Sequence, residues 1–599
     1  MAKKFIDIMD TTFRDGFQSV FGARVLMNDF LPAVSAAKEA GINHFEFGGG
    51  ARFQSLYFYL NEDAFTMMDK FREAAGKDAN LQTLSRGVNT VTLDTGSREL
   101  IDMHAKLFAK HGATTIRNFD ALNDVKNLEY SAQRIKHHGL KHEVVVTMMD
   151  LPPNCVGAHD AEFYEKCLRE ILDSGIEFDS VCFKDASGTS SPEKVYQTIK
   201  MARRLLGDNV HLRLHTHETA GVSIACYLAA LEAGADGIDL AASPVSGGTS
   251  QPDILTMLHA VKGKDYDLGG LEVDKILKYE DVLHDCLKDY FMPPEATQVS
   301  PLIPFSPMPG GALTANTQMM RDNNILDKFP AVIKAMREVV EKGGYGTSVT
   351  PVSQFYFQQA FNNVMFGPWK KIAEGYGKMV LGYFGKTPVT PSADIVELAA
   401  KQLNLELTTA PAIDIADQDE TKSIAYTKAI LEKEGIEATE ENIFIAAACK
   451  EKGIAYLKGE GKVMVRKNSD IIKPATKSGS NQFSVTVNGH NYNVEVADGF
   501  DNFTLKSITP AKESSQPKDE PKAVSSTGAS NEITATMSAG VFKILVNIGD
   551  SVKAGQTVVI LEAMKMEIPI ETGCDGEVEE ILISQGQTVE DGQLLIKLK

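Results

Sequence analysis

The sequence is sparing with cysteine, has no long apolar run and carries no excess of positive charge. Its seven cysteines, at 155, 167, 182, 226, 286, 449 and 574, are scattered, and none forms a Cys-x-x-Cys pair. Neither a disulfide framework nor a cysteine zinc site is indicated. A reducing cytoplasm is the simplest home. No stretch approaches the ~18 consecutive apolar residues that a membrane span requires. The 61 basic residues are outnumbered by 80 acidic ones, for a net charge of −19. Nucleic acid and anionic membranes call for a basic face, so neither is an expected partner. The start, Met1-Ala-Lys-Lys-Phe-Ile-Asp7, reaches an acid before any apolar core forms, unlike a secretory signal. No Gly-x-x-x-x-Gly-Lys-Ser/Thr phosphate loop occurs either.

What remains is an ordinary globular composition, 43% hydrophobic and 24% charged, over 599 residues. At roughly 100–200 residues per domain, about three to five domains are expected. Residues 1–265 repeat one phrase. A helix stops at a glycine (Gly41, Gly112, Gly139, Gly175, Gly207, Gly234), and a short strand follows. Strands are expected at 5–9, 44–47, 81–84, 115–119, 143–147, 180–184, 211–215 and 237–240. Eight alternating units over this length predict a (β/α)₈ TIM barrel, with a doubly wound open sheet as the competing arrangement.

Residues 266–470 read as a helical extension interrupted by Pro and Gly. Residues 471–510 read as a small β module, with a hairpin turning at Asn488-Gly489. Residues 511–531 are rich in Ser, Pro and charge, with Val524 the only large aliphatic and no aromatic. Such a segment cannot offset its ordering entropy by burial. As a coil it reaches roughly 25 Å. Residues 532–599 contain an internal repeat, Gly540…Gly549…Gly555 returning as Gly576…Gly586…Gly592. Two similar halves of short strands predict an all-β sandwich or flattened barrel. Its midpoint, Glu562-Ala-Met-Lys565-Met-Glu567, is a compact turn that presents Lys565.

In a barrel, chemistry sits at the C-terminal ends of the strands. Those ends carry Arg14 and Asp15, Glu46, Arg86, Asp120, Asp150, Lys184 with Asp185, and His215 with His217. So many charges on one rim suit a metal or an anionic substrate. Residues i and i+2 of a strand point the same way. His215 and His217 can therefore meet one divalent cation, with Asp15 opposite. Nitrogen and oxygen donors suit zinc, manganese or cobalt alike.

The Met-Lys565-Met turn at the join of a duplicated β domain resembles the biotinyl carrier domain, and the flanking methionines favour biotin over lipoate. The rest of the chain extends the resemblance. Asp10-Thr-Thr-Phe-Arg14-Asp15-Gly-Phe-Gln18, Gly48-Gly49-Gly50-Ala51, Ser85-Arg86-Gly87, Phe119-Asp120-Ala-Leu-Asn123, Lys184-Asp185-Ala-Ser-Gly188, His215-Thr-His217 and Val349-Thr350-Pro351 occur in order. The chain is similar to the carboxyltransferases of pyruvate carboxylase and of oxaloacetate decarboxylase α chains, and in particular to the B subunit of two-subunit pyruvate carboxylases.

That resemblance implies a biotin-dependent carboxyltransferase, part of a ligase complex, that moves CO₂ reversibly between carboxybiotin and pyruvate, with oxaloacetate as product. It implies biotin on Lys565 and a divalent metal on Asp15, Lys184, His215 and His217. A lysine ammonium has no lone pair for a metal, and in the family this lysine is carbamylated. The resemblance further implies that Gln18 and Arg86 hold the keto acid, that Arg14 and Asp120 are an active-site pair, and that Thr350 relays a proton. The plain alternatives are a Lys184–Asp185 bridge, rim pairs for Arg86 and Gln18, and a helix cap for Thr350. Partners follow: a separate ATP-dependent biotin carboxylase, a biotin ligase and further copies in a homo-oligomer.

Four residues at three places depart from the family pattern and are expected in the pocket lining: Gly16-Phe17, Leu93 and Glu218. Two other readings stay open, the α chain of a sodium-pumping decarboxylase and a non-catalytic biotin carrier or scaffold.

Overall fold

The computed structural model describes residues 3–471, 482–487, 490–497, 504–510, 532–535, 539–563, 566–589 and 592–599. One compact unit runs through Lys467. It opens with strands β1 (Lys4–Asp10), β2 (His44–Glu46), β3 (Asn80–Ser85), β4 (Thr115–Asn118), β5 (Lys141–Thr147), β6 (Ser180–Asp185), β7 (His211–Thr216) and β8 (Gly237–Leu240). These match the expected strands to within two residues at either end. Each pairs in parallel with the next, and β8 returns to β1 with Ile8 opposite Ile238. The sheet is a closed eight-stranded barrel, not an open one. A ninth short strand, β9 (Tyr266–Leu268), extends the sheet beside the start of β1; its three residues gave no signal in the sequence.

Alternation along each strand explains the layering. In β7, Leu212 and Leu214 join the apolar layer beneath the helices, while His211, Arg213 and His215 point to the other side. The same phase puts Asp7, His44, Gln82, Arg117, Glu143 and Asp239 inside, where they bond to one another. The outer helices start at side-chain caps. Asp160 accepts from the Phe163 amide, and Ser191 caps a helix whose first residue is Pro192. The six helix-stopping glycines all take positive φ, from +70° at Gly207 to +111° at Gly234.

The extension packs back on the barrel. Helix Glu440–Leu457 buries Phe444 edge-on to Phe53, with ring centroids 5.3 Å apart. Helices Gly310–Asp322 and Val352–Met365 begin beside the rim residues described below.

Strands Gln482–Val487, His490–Ala497 and Thr504–Pro510 form a three-stranded antiparallel sheet, with Val487 opposite His490. The turn residues Asn488-Gly489 lie outside the described residues. The sequence had not indicated its third strand, Thr504–Pro510.

The C-terminal domain consists of two four-stranded sheets. The repeat is structural as well as sequential. Val541, Val546, Val552, Val558, Val559 and Leu561 are buried, and so are Val578, Ile583, Val589, Leu595, Ile596 and Leu598, 37 residues later. Each half lends its short strand to the other half's sheet: Ser551–Val552 pairs with Gly576–Ile581, and Thr588–Val589 with Ala539–Ile544. The turn glycines repeat as well, Gly549 and Gly586 at φ +93° and +83°, a conformation that a Cβ disfavours. Met564 and Lys565, and the expected linker 511–531, lie outside the described residues.

Candidate active site

The turn after β1, Thr12–Gly16, is helical and continues into helix Phe17–Phe21. It sets Asp15 over the barrel mouth. Lys184 is the penultimate residue of β6, and His215 and His217 close β7. Asp15 Oδ2 lies 3.3 Å from His215 Nε2 and 3.4 Å from His217 Nε2. Lys184 Nζ lies 2.7 Å from His215 Nε2 and 3.7 Å from Asp15. All four are buried.

The tautomers follow from the nearest partner of each Nδ1, which is an acceptor; the Arg117 guanidinium stands farther from His215 Nδ1, at 3.3 Å. His215 Nδ1 faces Asp239 Oδ2 at 2.8 Å, and His217 Nδ1 faces the Thr249 carbonyl at 2.7 Å. Both protons therefore sit on Nδ1, and both Nε2 lone pairs face the cluster. One carboxylate oxygen and two imidazole nitrogens at these separations fit a divalent cation. Burial would raise the Asp15 carboxyl, but Arg14, Lys184 and His217 hold it well below the usual range. Burial pulls the Lys184 pKa down from the ordinary lysine value, against the attraction of Asp15. Lys184 makes no bridge to Asp185, whose carboxylate instead accepts from the amides of Ser187, Gly188 and Ser190.

Arg14, Gln18, Arg86, Lys184, His217 and Thr350 line one tight cavity, closed by Pro309, Gly311 and Val349 from the extension. Arg14 is neutralised by Glu46 and by Asp15 at 3.3 Å, and it donates to Gln18 Oε1 at 3.2 Å. Gly49 lets this wall close: a Cβ there would stand 2.3 Å from Thr83 Oγ1.

Arg86 differs from Arg14, the other arginine of this cavity. It is buried, its Nη1 donates to the carbonyls of Val91 and Thr92, and its Nε has no partner. Among the described residues no carboxylate pairs with it. Burial, then the neighbouring Arg14, pushes its pKa down to about 9, still a cation at neutral pH.

Thr350 does not cap the following helix, which begins at Val352 behind Pro351 with no side-chain cap bond. Asp120 stands apart from Arg14. Its carboxylate accepts from the Leu122 and Asp124 amides and from Asn127, and it faces an adjoining hollow shared with Arg86 and Asn89. Burial and Asp124 push its pKa up to about 7.

The expected pocket-lining departures are not in the lining. Phe17 is fully buried, with its ring 5.3 Å from Phe30 and 5.8 Å from Phe13. Successive helical residues turn by about 100°, so Gln18 meets the cavity while Phe17 enters the core. Glu218 is half-buried beside Ser250. The Leu93 carbonyl accepts from Asn89.

Sequence reasoning missed Asp239 and Gln251. Both follow from β8, whose rim was left blank although a barrel strand end is always a candidate position.

Comparison with known proteins decides the family. Residues 303–497 match a family model described as a conserved carboxylase domain, and residues 529–598 one described as a biotin-requiring enzyme. The chain is 30% identical over 565 residues to the pyruvate carboxylase B subunit of Methanocaldococcus jannaschii, covering 94% of each. The chain belongs to the family of pyruvate carboxylase B subunits. The B subunit of Methanothermobacter thermautotrophicus is likewise 30% identical over 94% of each chain. The 2-oxoglutarate carboxylase large subunit of Hydrogenobacter thermophilus is 28% identical, covering 94% of this chain and 90% of that one. The carboxyl transferase domain of Rhizobium etli pyruvate carboxylase, solved with pyruvate and biocytin, superposes with a TM-score of 0.69 at 22% identity. It covers 85% of this chain and 90% of that one, and it shares the fold. Residues 529–598 of the chain form its biotin-requiring domain.

Proposed function

We propose that the chain transfers a carboxyl group reversibly between biotin on Lys565 and pyruvate. The observation that carries this reading is Arg86. It is a buried guanidinium with no carboxylate partner among the described residues, in the wall of a cavity that holds Asp15, Lys184 and His217. Burying an unpaired charge is costly, and one monocarboxylate relieves that cost with two parallel hydrogen bonds. The other guanidinium of the wall, Arg14, already faces Glu46 and Asp15. One uncompensated cation suits a short 2-oxo monocarboxylate better than 2-oxoglutarate, which brings a second carboxylate. No observation favours the decarboxylase α-chain reading over this one.

In this reading Gln18 and Arg86 orient the keto acid, and Asp15, His215, His217 and carbamylated Lys184 hold a divalent ion. Lys184 Nζ lies 2.7 Å from His215 Nε2 and 3.7 Å from Asp15, where a carbamate oxygen, unlike an ammonium, would bring the cluster a further donor. The ion supplies Lewis acidity to the keto oxygen, and biotin supplies and accepts the carboxyl group. Thr350 Oγ1 would pass the proton that the pyruvate methyl releases to the biotin nitrogen that gives up its carboxyl group. Arg14 and Asp120 border the reacting groups from two sides.

The domain scheme is part of the proposal. Residues 1–265 form the barrel, 266–470 complete its site, 471–510 link or associate, 511–531 tether, and 532–599 carry biotin. A biotin ligase loads Lys565, a separate ATP-dependent biotin carboxylase charges it, and the chain works as a homo-oligomer in the cytoplasm.

The test is the full chain made with an active biotin ligase. Intact mass is expected to show one biotin, lost in Lys565→Arg. The loaded chain is expected to exchange carboxyl between biotin and oxaloacetate, with pyruvate competing better than 2-oxoglutarate. An unbiotinylated product, or stronger competition by 2-oxoglutarate, sinks the reading.

A further inference from the structure

Gln251 is fully buried at the end of the loop that follows β8. That loop is held by its own backbone, with Gly247 donating to the Gln251 carbonyl and Ala241 to that of Pro252. The side-chain amide reaches the metal-ligand cluster. Its Nε2 lies 3.2 Å from Asp15 Oδ2 and 3.0 Å from His217 Nε2. Its Oε1 lies 2.8 Å from Thr11 Oγ1 and 3.3 Å from Ser250 Oγ.

Two points of chemistry follow. First, His217 Nε2 has a single lone pair. If a cation takes it, the Gln251 N–H that now points at it loses its acceptor and is left facing a positive charge. Second, the hydroxyl behind the amide accommodates either orientation. Thr11 Oγ1 is 2.9 Å from the Leu240 carbonyl as well as 2.8 Å from Gln251. With its one proton on Gln251 Oε1, Thr11 fits the orientation described above. With that proton on Leu240, Thr11 presents a lone pair to an amide NH₂. A half-turn of the Gln251 amide then satisfies Thr11 and Ser250 through Nε2 and aims Oε1 between Asp15 and His217. Without a cation that placement sets three acceptors against one another.

The distances fit a shared ion. Metal–donor bonds of ~2.0–2.2 Å put neighbouring donors about 3.0–3.5 Å apart. The pairs Asp15–His215, Asp15–His217, Gln251–His217 and Gln251–Asp15 span 3.0 to 3.4 Å.

We propose that Gln251 is a further ligand of the divalent ion, an amide that turns its carbonyl oxygen to the cation with Thr11 as the pivot. This inference rests on the metal site of the proposed function.

The test measures metal and not turnover. Full-length chain stripped of metal is titrated with Co²⁺ against a competing chelator, and its visible absorption is recorded for wild type, Gln251→Leu and Gln251→Glu. Leu is close in size, apolar and unable to donate. It is expected to weaken binding by at least tenfold and to change the absorption bands as one oxygen donor leaves. Glu keeps an oxygen at the same reach and is expected to bind within tenfold of wild type, with bands close to it. Wild-type affinity and bands in Gln251→Leu overturn the ligand role alone. Equal loss in Leu and Glu does so too, because it marks the N–H donation to Asp15 as what matters. A wild-type chain that binds no Co²⁺ overturns the proposed metal site and this inference together.

Discussion

Two clusters of buried charge share one residue, His215. Its Nδ1 belongs to the barrel interior and its Nε2 to the rim. The interior is balanced. Arg117 faces Glu143 at 2.5 Å and Asp239 at 2.6 Å, and Arg213 faces Asp239 at 3.0 Å and also Asp7. Burial would raise Asp239 and Glu143, yet Arg117 and Arg213 hold both below the ordinary range. The rim is not balanced. Two imidazole lone pairs and a carboxylate oxygen converge there, and one guanidinium faces no acid among the described residues. Charge that is satisfied internally serves the fold and keeps His215 in one tautomer. Charge left without an acid in a cavity wall, as at Arg86, is what a ligand can satisfy.

The comparison breaks most sharply at Arg117. Replacing it with Met leaves Glu143 and Asp239 short of a partner in the barrel interior. Removing one side of a buried pair typically costs ~3–5 kcal/mol. Arg117→Met is therefore expected to lower the urea midpoint by that equivalent, and to weaken metal binding by releasing Asp239 from its place behind His215. An unchanged midpoint would mean that the interior cluster is not what stabilises the barrel.

The second contrast is chemical. Thr350→Ala is expected to cost at least about a hundredfold in carboxyl exchange between oxaloacetate and free biotin, the usual share of proton transfer being ~10²–10⁴. Pyruvate affinity and melting temperature are expected to hold, since Thr350 caps no helix. Thr350→Ser retains the hydroxyl and is expected to retain much of the rate. Near-normal turnover of Thr350→Ala ends the relay role.

The balanced features were the legible ones. A strand that alternates His211-Leu-Arg213-Leu-His215 announces both its apolar face and its strand-end imidazoles. Glycines after helices announce the phase of the barrel. The duplicated glycines at 549 and 586 announce a duplicated domain. Unbalanced features are hard to read, because a sequence records which groups exist and not which lack a partner. Arg86 reads the same whether or not an acid waits opposite. Gln251 is reached only because a loop folds back over β7. Phe17 adjoins the site in sequence and leaves it in space, because the turn that presents Asp15 is helical.

Arg86 offers the finest cut between the two clusters. Arg86→Met removes a cation that pairs with no acid, so no carboxylate is orphaned. Only the carbonyls of Val91 and Thr92 lose their donor, a loss of roughly 1–3 kcal/mol when such groups stay dry. Relief of the desolvation that pulls Arg86 down to about 9 offsets it. The net change in stability is expected to be within about 1 kcal/mol, far below that of Arg117→Met, although both side chains are buried arginines. Pyruvate affinity is expected to fall roughly ten- to hundredfold, the equivalent of ~1.5–3 kcal/mol for hydrogen bonds to a charged group. Arg86→Lys keeps the charge without the planar fork and is expected to fall between the two. Calorimetric titration with pyruvate, beside a melting curve for each variant, decides it. Unchanged pyruvate binding in Arg86→Met, or a melting temperature that drops as far as in Arg117→Met, would place Arg86 among the residues that serve the fold.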